Sequence, residues 1–308
     1  MINKLNYALQ MLLKSFNKKY HNCPSCQSTN NHKFTGKEFN KFPTSLRYCK
    51  DCKLLFRFPI TLASESELFY KDSYHEAGLT TDLPSKTELK NLVDTNFKNT
   101  EKDFSIWMKL FRDLSIKLNK KIRILDYGAN WGYTVAQLSK EDFVEEAVGY
   151  EYSLPRAEFG KKNLNIEYLN EDMFSKSFDV VFSSHVIEHM FNPSLFKNHM
   201  NQLLLDEGYC IVACPNGSLS AMLKDPASFK SMWGEVHPNY ISDLYLLNQF
   251  SDYHGAVFDY FGTMYDARLD EPGSFNYLKH LNAPPVSFLP DQECLVGIFQ
   301  RKDFHGNK

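Results

Sequence analysis

The chain has 308 residues, of which 43% are hydrophobic and 23% charged, which excludes a disordered or fibrous protein. Its net charge is −2, and no apolar run approaches the roughly 18–20 residues that a membrane-spanning helix needs. The charge is uneven: residues 1–60 carry eleven Lys/Arg and two acidic residues, a balance of +9, whereas the rest carries 24 and 35, a balance of −11. A basic front segment favours a phosphate-bearing partner, such as nucleic acid, an anionic membrane surface or a diphosphate-linked metabolite, and a plain solvated surface explains it equally well.

The first predicted element is an amphipathic helix within residues 1–20, because apolar residues recur there at helical spacing with lysines between and after them. We expect it to pack or to form a dimer contact, with peripheral membrane contact as the alternative. The segment has no small-residue cleavage site, so it does not read as a secretory signal. The sequence therefore predicts a cytoplasmic protein with reduced thiols, and it leaves the oligomeric state open.

Residues 21–60 contain four cysteines in two C-x-x-C pairs that are 22 residues apart: Cys23, Cys26, Cys49 and Cys52. This spacing is typical of a tetrahedral zinc site, in which each pair directs two thiolates at one ion. Accidental clustering or a disulfide pair is the alternative. Because four thiolates leave no open coordination position, the sequence predicts a small N-terminal zinc ribbon that holds structural Zn²⁺.

Residues 61–120 are predicted to form a helical linker and cofactor lid, with a helix over 101–119 that has one broad apolar face. From residue 121 to 302 strands and helices alternate. This alternation predicts the α/β class, with a doubly wound, mostly parallel, seven-stranded Rossmann-like sheet. The predicted strands cover 122–127, 145–152, 165–169, 178–183, 209–213, 257–261 and 293–300.

A glycine-rich turn follows the first of these strands, in the run Ile124-Leu-Asp-Tyr-Gly-Ala-Asn-Trp-Gly132. Glycines there allow positive φ and a close approach of the backbone to a ligand. The next strand ends on Glu151, about 20 residues later, where an acid can accept hydrogen bonds from ribose hydroxyls. The turn lacks the G-x-G-x-x-G register of dinucleotide-binding dehydrogenases. We therefore expect a nucleoside cofactor at the junction of strand and helix.

These residues resemble the first motif of the class I S-adenosylmethionine-dependent methyltransferases, in which an acid precedes three alternating glycines. Asp126, Gly128 and Gly132 match that motif, and Asn130 replaces the middle glycine. Asn tolerates positive φ better than other non-glycine residues. The resemblance extends through Asn170–Met173 after the third strand, the Val-Ile-Glu-His run at 186–189 and the fifth strand with its exit turn at 208–216. It implies S-adenosylmethionine as the cofactor, with Asp172 at the adenine amino group and Met173 against the ring.

The layout is also similar to methyltransferases with an N-terminal four-cysteine zinc module, including deoxysugar C-methyltransferases. In that subgroup tyrosines after the zinc module close over the methionine end of the cofactor. The sugar C-methyltransferases carry an additional C-terminal domain that we do not expect here, so methylation of oxygen or nitrogen is favoured over carbon. The resemblance implies that the following residues contact the cofactor: Asp126, Tyr127, Gly128, Asn130, Gly132, Glu151, Asp172, Met173, Ser184, Tyr70 and Tyr74.

Catalytic candidates are polar residues that are predicted to overhang the carboxyl edge of the sheet, where ligands bind in this architecture. Methyl transfer to oxygen or nitrogen often uses a base, and histidine suits that role because its pKa lies near neutrality. His185, at the mouth of the fourth strand, and His237 are the candidates for base or acceptor contact, and Tyr240 accompanies them. His189 is interpreted as structural, and Cys210 and Cys214 as core residues of a buried strand.

The sequence leaves three functions to compare. The first is methylation of a small or carrier-linked metabolite, such as a sugar, a nucleotide sugar or a cell-envelope glycan. The second is methylation of RNA or DNA gripped by the basic zinc module. It is disfavoured because the fourth strand ends in Ser183-Ser184-His185, without the [DN]-P-P-[YFW] loop of amino-directed base methylases. The third, a non-catalytic binding module, is disfavoured by the intact Asp126 and Gly128.

Overall fold

The computed structural model describes residues 4–34, 42–65, 82–234, 236–259, 286–287 and 290–302. The helices of these residues are α1 (Lys4–Phe16), α2 (Lys86–Asp94), α3 (Ser105–Leu118), α4 (Tyr133–Leu138), α5 (Leu154–Leu164), α6 (Ser194–Leu203), α7 (Leu219–Lys224), α8 (Pro226–Ser231) and α9 (Asp243–Gln249). The strands are β1 (Asn31–Lys33), β2 (Ser45–Cys49), β3 (Leu55–Phe58), β4 (Ile122–Tyr127), β5 (Val144–Tyr150), β6 (Tyr168–Leu169), β7 (Phe178–Ser184), β8 (Leu204–Pro215), β9 (Asn239–Tyr240), β10 (Tyr253–Asp259), β11 (Val286–Ser287) and β12 (Cys294–Arg301).

The larger sheet has the strand order β11-β10-β12-β8-β7-β4-β5-β6. Five neighbouring strands are parallel to one another: β6, β5, β4, β7 and β8. The strand β12 lies between β8 and β10 and is antiparallel to both. The predicted doubly wound, mostly parallel sheet is therefore confirmed. In the described residues the two-residue β11 adds an eighth strand to the seven that were predicted.

The smaller sheet is antiparallel and has the order β1-β2-β3-β9. Its first three strands belong to the cysteine module, but β9 comes from the larger domain, about 180 residues later in the chain. Leu55 lies opposite Tyr240 and Phe56 opposite Asn239 in this pairing. The two modules are therefore joined by backbone hydrogen bonds as well as by side-chain packing.

The larger sheet buries apolar side chains on both faces, as parallel sheets do. On one face α3 packs Trp107 and Phe111 against strand residues such as Phe182. The cluster on the other face continues into the cysteine module, where Leu54 and Phe56 are fully buried. Cys210 and Cys214 are fully buried as well, as predicted for core residues.

The helix α1 lies at the surface with its apolar stripe exposed: Leu5, Leu9, Leu13 and Phe16 are each more than half accessible to solvent. Met11, on another side of the helix, is buried. The helix lies within the predicted segment, and its main apolar face is largely open to solvent. No helix in the described ranges has the length and apolarity to cross a membrane.

Candidate functional site at the carboxyl edge of the sheet

The glycine-rich turn between β4 and α4 is closed by its own hydrogen bonds. Gly128 and Gly132 have φ of +90° and +84°, and Asn130 also lies in the left-handed region with φ of +51°, as expected for the residue that replaces a glycine. The N–H groups of residues 128 and 129 both donate to the carbonyl of Tyr150, at 2.8 and 2.9 Å. Those of residues 130–132 also donate within the chain. Because none of these five donors is free, the turn suits a nucleoside better than a diphosphate.

Glu151 directly follows β5, and its carboxylate faces the turn. One oxygen accepts a hydrogen bond from the N–H of Asn130 and the other from the N–H of Ser153, each at 2.8 Å. A carboxylate offers about four lone-pair sites, so the half-buried group keeps acceptor capacity for two ribose hydroxyls. Burial raises the pKa of Glu151, and backbone N–H donors together with the charge of Arg156 oppose that change.

Asp126, in β4, is a second carboxylate close to the first and is only 4% exposed. Burial and the nearby charge of Glu151 raise its pKa to about 7, whereas a hydrogen bond with the side chain of Thr134 lowers it. Two carboxylates at the ends of adjacent parallel strands match a ligand with hydroxyl groups and positive charge. This donor set fits the ribose and the cationic methionine end of S-adenosylmethionine.

The other predicted cofactor residues occupy different surroundings. Tyr127 is buried, and its hydroxyl is hydrogen-bonded to Nδ1 of His199 on α6 at 2.8 Å. Asp172 and Met173 are exposed on a short 3₁₀ helix after β6, at the same edge of the sheet as the turn. Ser184 is half-buried as the last residue of β7. The predicted lid residues Tyr70 and Tyr74 lie outside the described residues. Cofactor contact therefore stays a prediction for each of them.

The segment that follows β7 lies against the glycine turn. A Cβ atom added to Gly128 would be 2.2 Å from Cγ2 of Val186, so the side chain of Val186 packs directly on the glycine. His185 has φ of +56° and is half exposed (51%), with Nδ1 3.5 Å from a carboxylate oxygen of Glu188. Desolvation of the ring tends to lower the pKa of His185, but contacts with Cys294 and Glu188 raise it above its ordinary value. A protonated imidazole cannot accept a proton, which weighs against a role as general base at neutral pH.

His237 comes close to two residues that the sequence analysis did not select as functional. The ring centroids of His237 and His189 are 4.5 Å apart. Both side chains lie next to the carboxylate of Glu188, which is fully buried. The signal for this cluster was present in the sequence as the Glu188-His189 dipeptide after the fourth strand. What the sequence did not show is that a histidine 48 positions further on folds back to the same place.

Tyr240 lies on β9 and is buried. Its ring stacks on Trp233 with a centroid distance of 4.1 Å, inside an aromatic cluster between the cysteine module and α8. Burial raises its pKa above the ordinary tyrosine value. This position favours packing over proton transfer, and the catalytic role that the sequence predicts for Tyr240 stays untested.

The four cysteines converge at the other end of β3. The Sγ atoms of Cys23 and Cys52, and those of Cys26 and Cys49, are 3.5 Å apart, and all four ligand atoms lie within 4.8 Å of one another. A tetrahedral ion with Zn–S bonds of about 2.3 Å holds its sulfurs roughly 3.8 Å apart. No disulfide links these residues. The cluster therefore fits a zinc module.

The two cysteine pairs have the same backbone geometry, as expected of two equivalent metal-binding turns. Gln27 and Lys53, each four residues after the first cysteine of its pair, lie in the left-handed region and donate their N–H to that cysteine's carbonyl at 3.0 Å. The hydrogen bond between Cys23 and Cys52 raises the pKa of Cys23 and lowers that of Cys52 to about 6. Metal binding must therefore displace protons, because only thiolates are ligands.

Comparison with known protein families identifies a match over half of the chain. A family model described as "Methyltransferase domain" matches residues 100–254. No curated protein matches the sequence.

Among solved structures, the plantazolicin methyltransferase BpumL in complex with SAH is 15% identical, with a TM-score of 0.48, over 71% of this chain and 92% of that one. A chain from the complex of the Haloferax volcanii Trm112 methyltransferase activator is 11% identical, with a TM-score of 0.45, over 72% and 96%. An S-adenosylmethionine dependent methyltransferase from Mesorhizobium loti is 14% identical, with a TM-score of 0.40, over 59% and 92%. Similarity at this level extends to neither substrate nor mechanism.

Proposed function

The chain belongs to the methyltransferase domain family and is an S-adenosylmethionine-dependent methyltransferase, and we propose that it methylates an oxygen or nitrogen atom of a small or carrier-linked metabolite, such as a sugar, a nucleotide sugar or a cell-envelope glycan. The observation that supports this acceptor class is the polar cluster beside the cofactor turn, where Glu188 lies near His185 and also groups with His189 and His237 at the carboxyl edge of the sheet. Among these groups the imidazole of His237 can position a hydroxyl or amine and accept its proton, which assists methyl transfer to oxygen or nitrogen.

In this proposal the donor lies on the glycine turn between β4 and α4. The carboxylate of Glu151 binds the ribose hydroxyls, and Asp126 lies near the cationic end of the molecule. When bound, the sulfonium supplies the methyl group. The residues of this chain orient donor and acceptor in line and exclude water from the reacting atoms. The four cysteines hold a structural Zn²⁺ in the same proposal, since they leave no coordination position for a substrate.

Methylation of RNA is the second candidate function, and the basic balance of residues 1–60 is the observation that favours it. Part of that charge is already used within the protein: Lys14 pairs with Glu65 at 2.9 Å, and Arg47 lies 3.8 Å above the ring of Phe58. Methylation of a small or carrier-linked metabolite is therefore favoured over methylation of RNA. A steep dependence of RNA binding on salt concentration would reverse that order.

The test is a transfer assay with S-adenosylmethionine labelled on the methyl group, over nucleotide sugars, envelope glycans and total RNA. We expect label in a carbohydrate-containing fraction, and heat of binding when the donor alone is titrated into the protein by calorimetry. Glu151→Gln should weaken donor binding, whereas Glu158→Gln, an exposed change on α5, should not. Absence of any heat at millimolar donor contradicts the proposed cofactor site. Label confined to RNA contradicts only the acceptor.

A further inference from the structure

We propose that Glu188, His189 and His237 form a binding site for a divalent first-row transition metal ion, distinct from the four-cysteine cluster. Their ligand atoms, one carboxylate oxygen and two ring nitrogens, all lie within 4.8 Å of one another. Glu188 and His189 come from the 3₁₀ turn at Ile187–His189 after β7, and His237 comes from the segment before β9. Two unrelated parts of the chain thus bring the donors of one site together.

The carboxylate of Glu188 is the strongest indication of a ligand. The residue has no solvent exposure, and neither carboxylate oxygen has a hydrogen-bond partner among the described residues. The nearest cationic candidates are Nδ1 of His185 at 3.5 Å and Nε2 of His189 at 3.8 Å, both too distant for a strong hydrogen bond. Imidazoles at these distances compensate the charge of the buried carboxylate only in part, and a bound dication would offset the remaining cost of its burial.

Both histidines are held in the orientation that metal ligands need. Nδ1 of His189 is 2.9 Å from the carbonyl oxygen of Val236, and Nδ1 of His237 is 2.5 Å from the carbonyl oxygen of Met232. A carbonyl can only accept, so each Nδ1 carries the proton and each Nε2 keeps its lone pair. A backbone carbonyl at the other ring nitrogen is the usual partner of a metal-bound histidine, because it fixes both the tautomer and the ring plane.

The donor set defines the class of metal. Two imidazoles and one carboxylate suit Fe²⁺, Co²⁺, Ni²⁺, Zn²⁺ and related ions, whereas Mg²⁺ and Ca²⁺ prefer oxygen ligands alone. Bonds of about 2.1 Å place two ligands of one ion roughly 3–3.5 Å apart. The observed separation of 3.8 Å between Glu188 and His189 is close to that range. Three protein ligands also leave coordination positions open, unlike the four-thiolate cluster.

The site lies beside the proposed donor. Val186, two residues before Glu188, is the residue that a Cβ on Gly128 would strike. An ion with open positions there could bind an acceptor hydroxyl and lower its pKa. This role, though not the site itself, rests on the proposed methyl transfer. It would narrow the acceptor to a compound with an oxygen able to ligate a metal.

The test uses full-length protein with zinc in its cysteine cluster, titrated with Co²⁺ in the absence of donor and acceptor. We expect elemental analysis to find two metal ions per chain, and the second Co²⁺ to show the weak visible bands of nitrogen and oxygen ligands without thiolate charge-transfer bands. Glu188→Gln and His237→Gln should each weaken this second binding more than about 100-fold, beyond the loss expected for an outer-shell partner. His32→Gln, an exposed histidine on β1, should retain both ions.

Two outcomes would overturn the site: wild-type protein that binds a single metal ion, or a His237→Gln variant that keeps the second Co²⁺ with unchanged spectrum. Retained zinc and an unchanged thermal midpoint show that each variant has folded. Because methyl donor is absent from the titration, failure of the metal site leaves the proposed function standing. Equally, a protein that binds two ions but no donor would contradict only the function.

Discussion

Residues in the left-handed region fix the shape of the cofactor turn. Gly128, Asn130 and Gly132 alternate there with ordinary residues, and this lets the chain reverse tightly enough for two N–H groups to share one carbonyl. The alternation was visible in the sequence because glycine and asparagine are the residues that tolerate positive φ. Its hydrogen-bond pattern was not visible, since it depends on the neighbouring strand.

Gly128→Ala should damage the turn for two separate reasons. The backbone at φ of +90° disfavours a side chain, and the new Cβ would collide with Val186 at 2.2 Å. We expect a loss of about 2–5 kcal/mol in the free energy of unfolding, measured by urea denaturation, and weaker donor binding. The matched control is Gly234→Ala, where a Cβ meets nothing within 4 Å. Equal stability of the two variants would show that neither the positive φ nor the collision with Val186 restricts this position.

Asp126 should make stability depend on pH. Burial raises its pKa from 3.8 to about 7, so between these values the native state holds a proton that the unfolded state has released. Stability from this residue is therefore greatest at low pH and falls as the pH rises from about 4 to about 7. Because the shift is about three units, the change is a few kcal/mol at most.

The measurement is the difference in unfolding free energy between wild type and Asp126→Asn from pH 5 to pH 8. Asparagine cannot ionise, so the wild type should lose stability relative to the variant across this range. A cationic donor prefers the ionised carboxylate, so its affinity for the wild type should rise through pH 7. A pH-independent difference in stability would show that Asp126 is ionised throughout.

At the level of elements, the strands and helices of the larger domain were largely predictable. Repeated apolar runs separated by glycine turns located β4, β5, β7 and β12 within one or two residues. The prediction was too short for β8, which begins at Leu204 rather than Tyr209. Residues 206–208 read Asp-Glu-Gly, a turn signal, but the pairing with β7 continues across them with an irregular register in which Glu207 has φ of +65°.

The short strands β9 and β11 could not be predicted, because two residues carry no periodicity. β9 exists only because β3 offers it a free edge, and that edge comes from a distant part of the sequence. The grouping of residues in the candidate site was hard to predict for the same reason, because it depends on contacts between distant parts of the sequence. Single motifs identified the glycine turn, the cysteines and His237, whereas the grouping of His237 with Glu188 and His189 depends on how β9 is held.

Asn239 on β9 links the segment that carries His237 to the turn that carries Glu188 and His189. Its side-chain amide, fully buried, donates to the carbonyl oxygens of Met190 at 2.6 Å and Glu188 at 3.3 Å. Asn239→Ala should cost about 1–3 kcal/mol, because it leaves buried carbonyls without donors, and it should lower kcat more than donor affinity. Asn163→Ala, which removes an exposed amide donor from α5, is the matched control. Equal kcat in both variants would contradict the role.

For the whole molecule, the cysteine module and the larger domain form one structure. The hydrophobic cluster around Leu54 and Phe56 is continuous with the core of the large sheet. The hydroxyl of Ser25, in the first cysteine turn, is 3.0 Å from that of Tyr245 on α9. A metal in the module would therefore support the site indirectly, through β3 and β9.

Removal of zinc should accordingly disturb methyl transfer even though the cysteines contact no substrate. In Cys49→Ser we expect loss of zinc, a lower thermal midpoint and faster hydrogen exchange in residues 236–242, because β9 loses a rigid partner. Residues 178–184 of β7 should keep slow exchange and serve as the internal reference. Unchanged exchange in both segments after loss of zinc would show that the module does not support the site.

The position of β12 has a consequence for how the protein is made. This strand is synthesised after the other strands that the structure describes, but it is inserted in the interior of the sheet, between β8 and β10. Until residues 294–301 leave the ribosome, two apolar strands have open edges that can pair with other chains. We therefore expect residues 100–254, the region that the family model matches, to be unstable when expressed alone, and a nascent chain stalled before residue 294 to depend on chaperones.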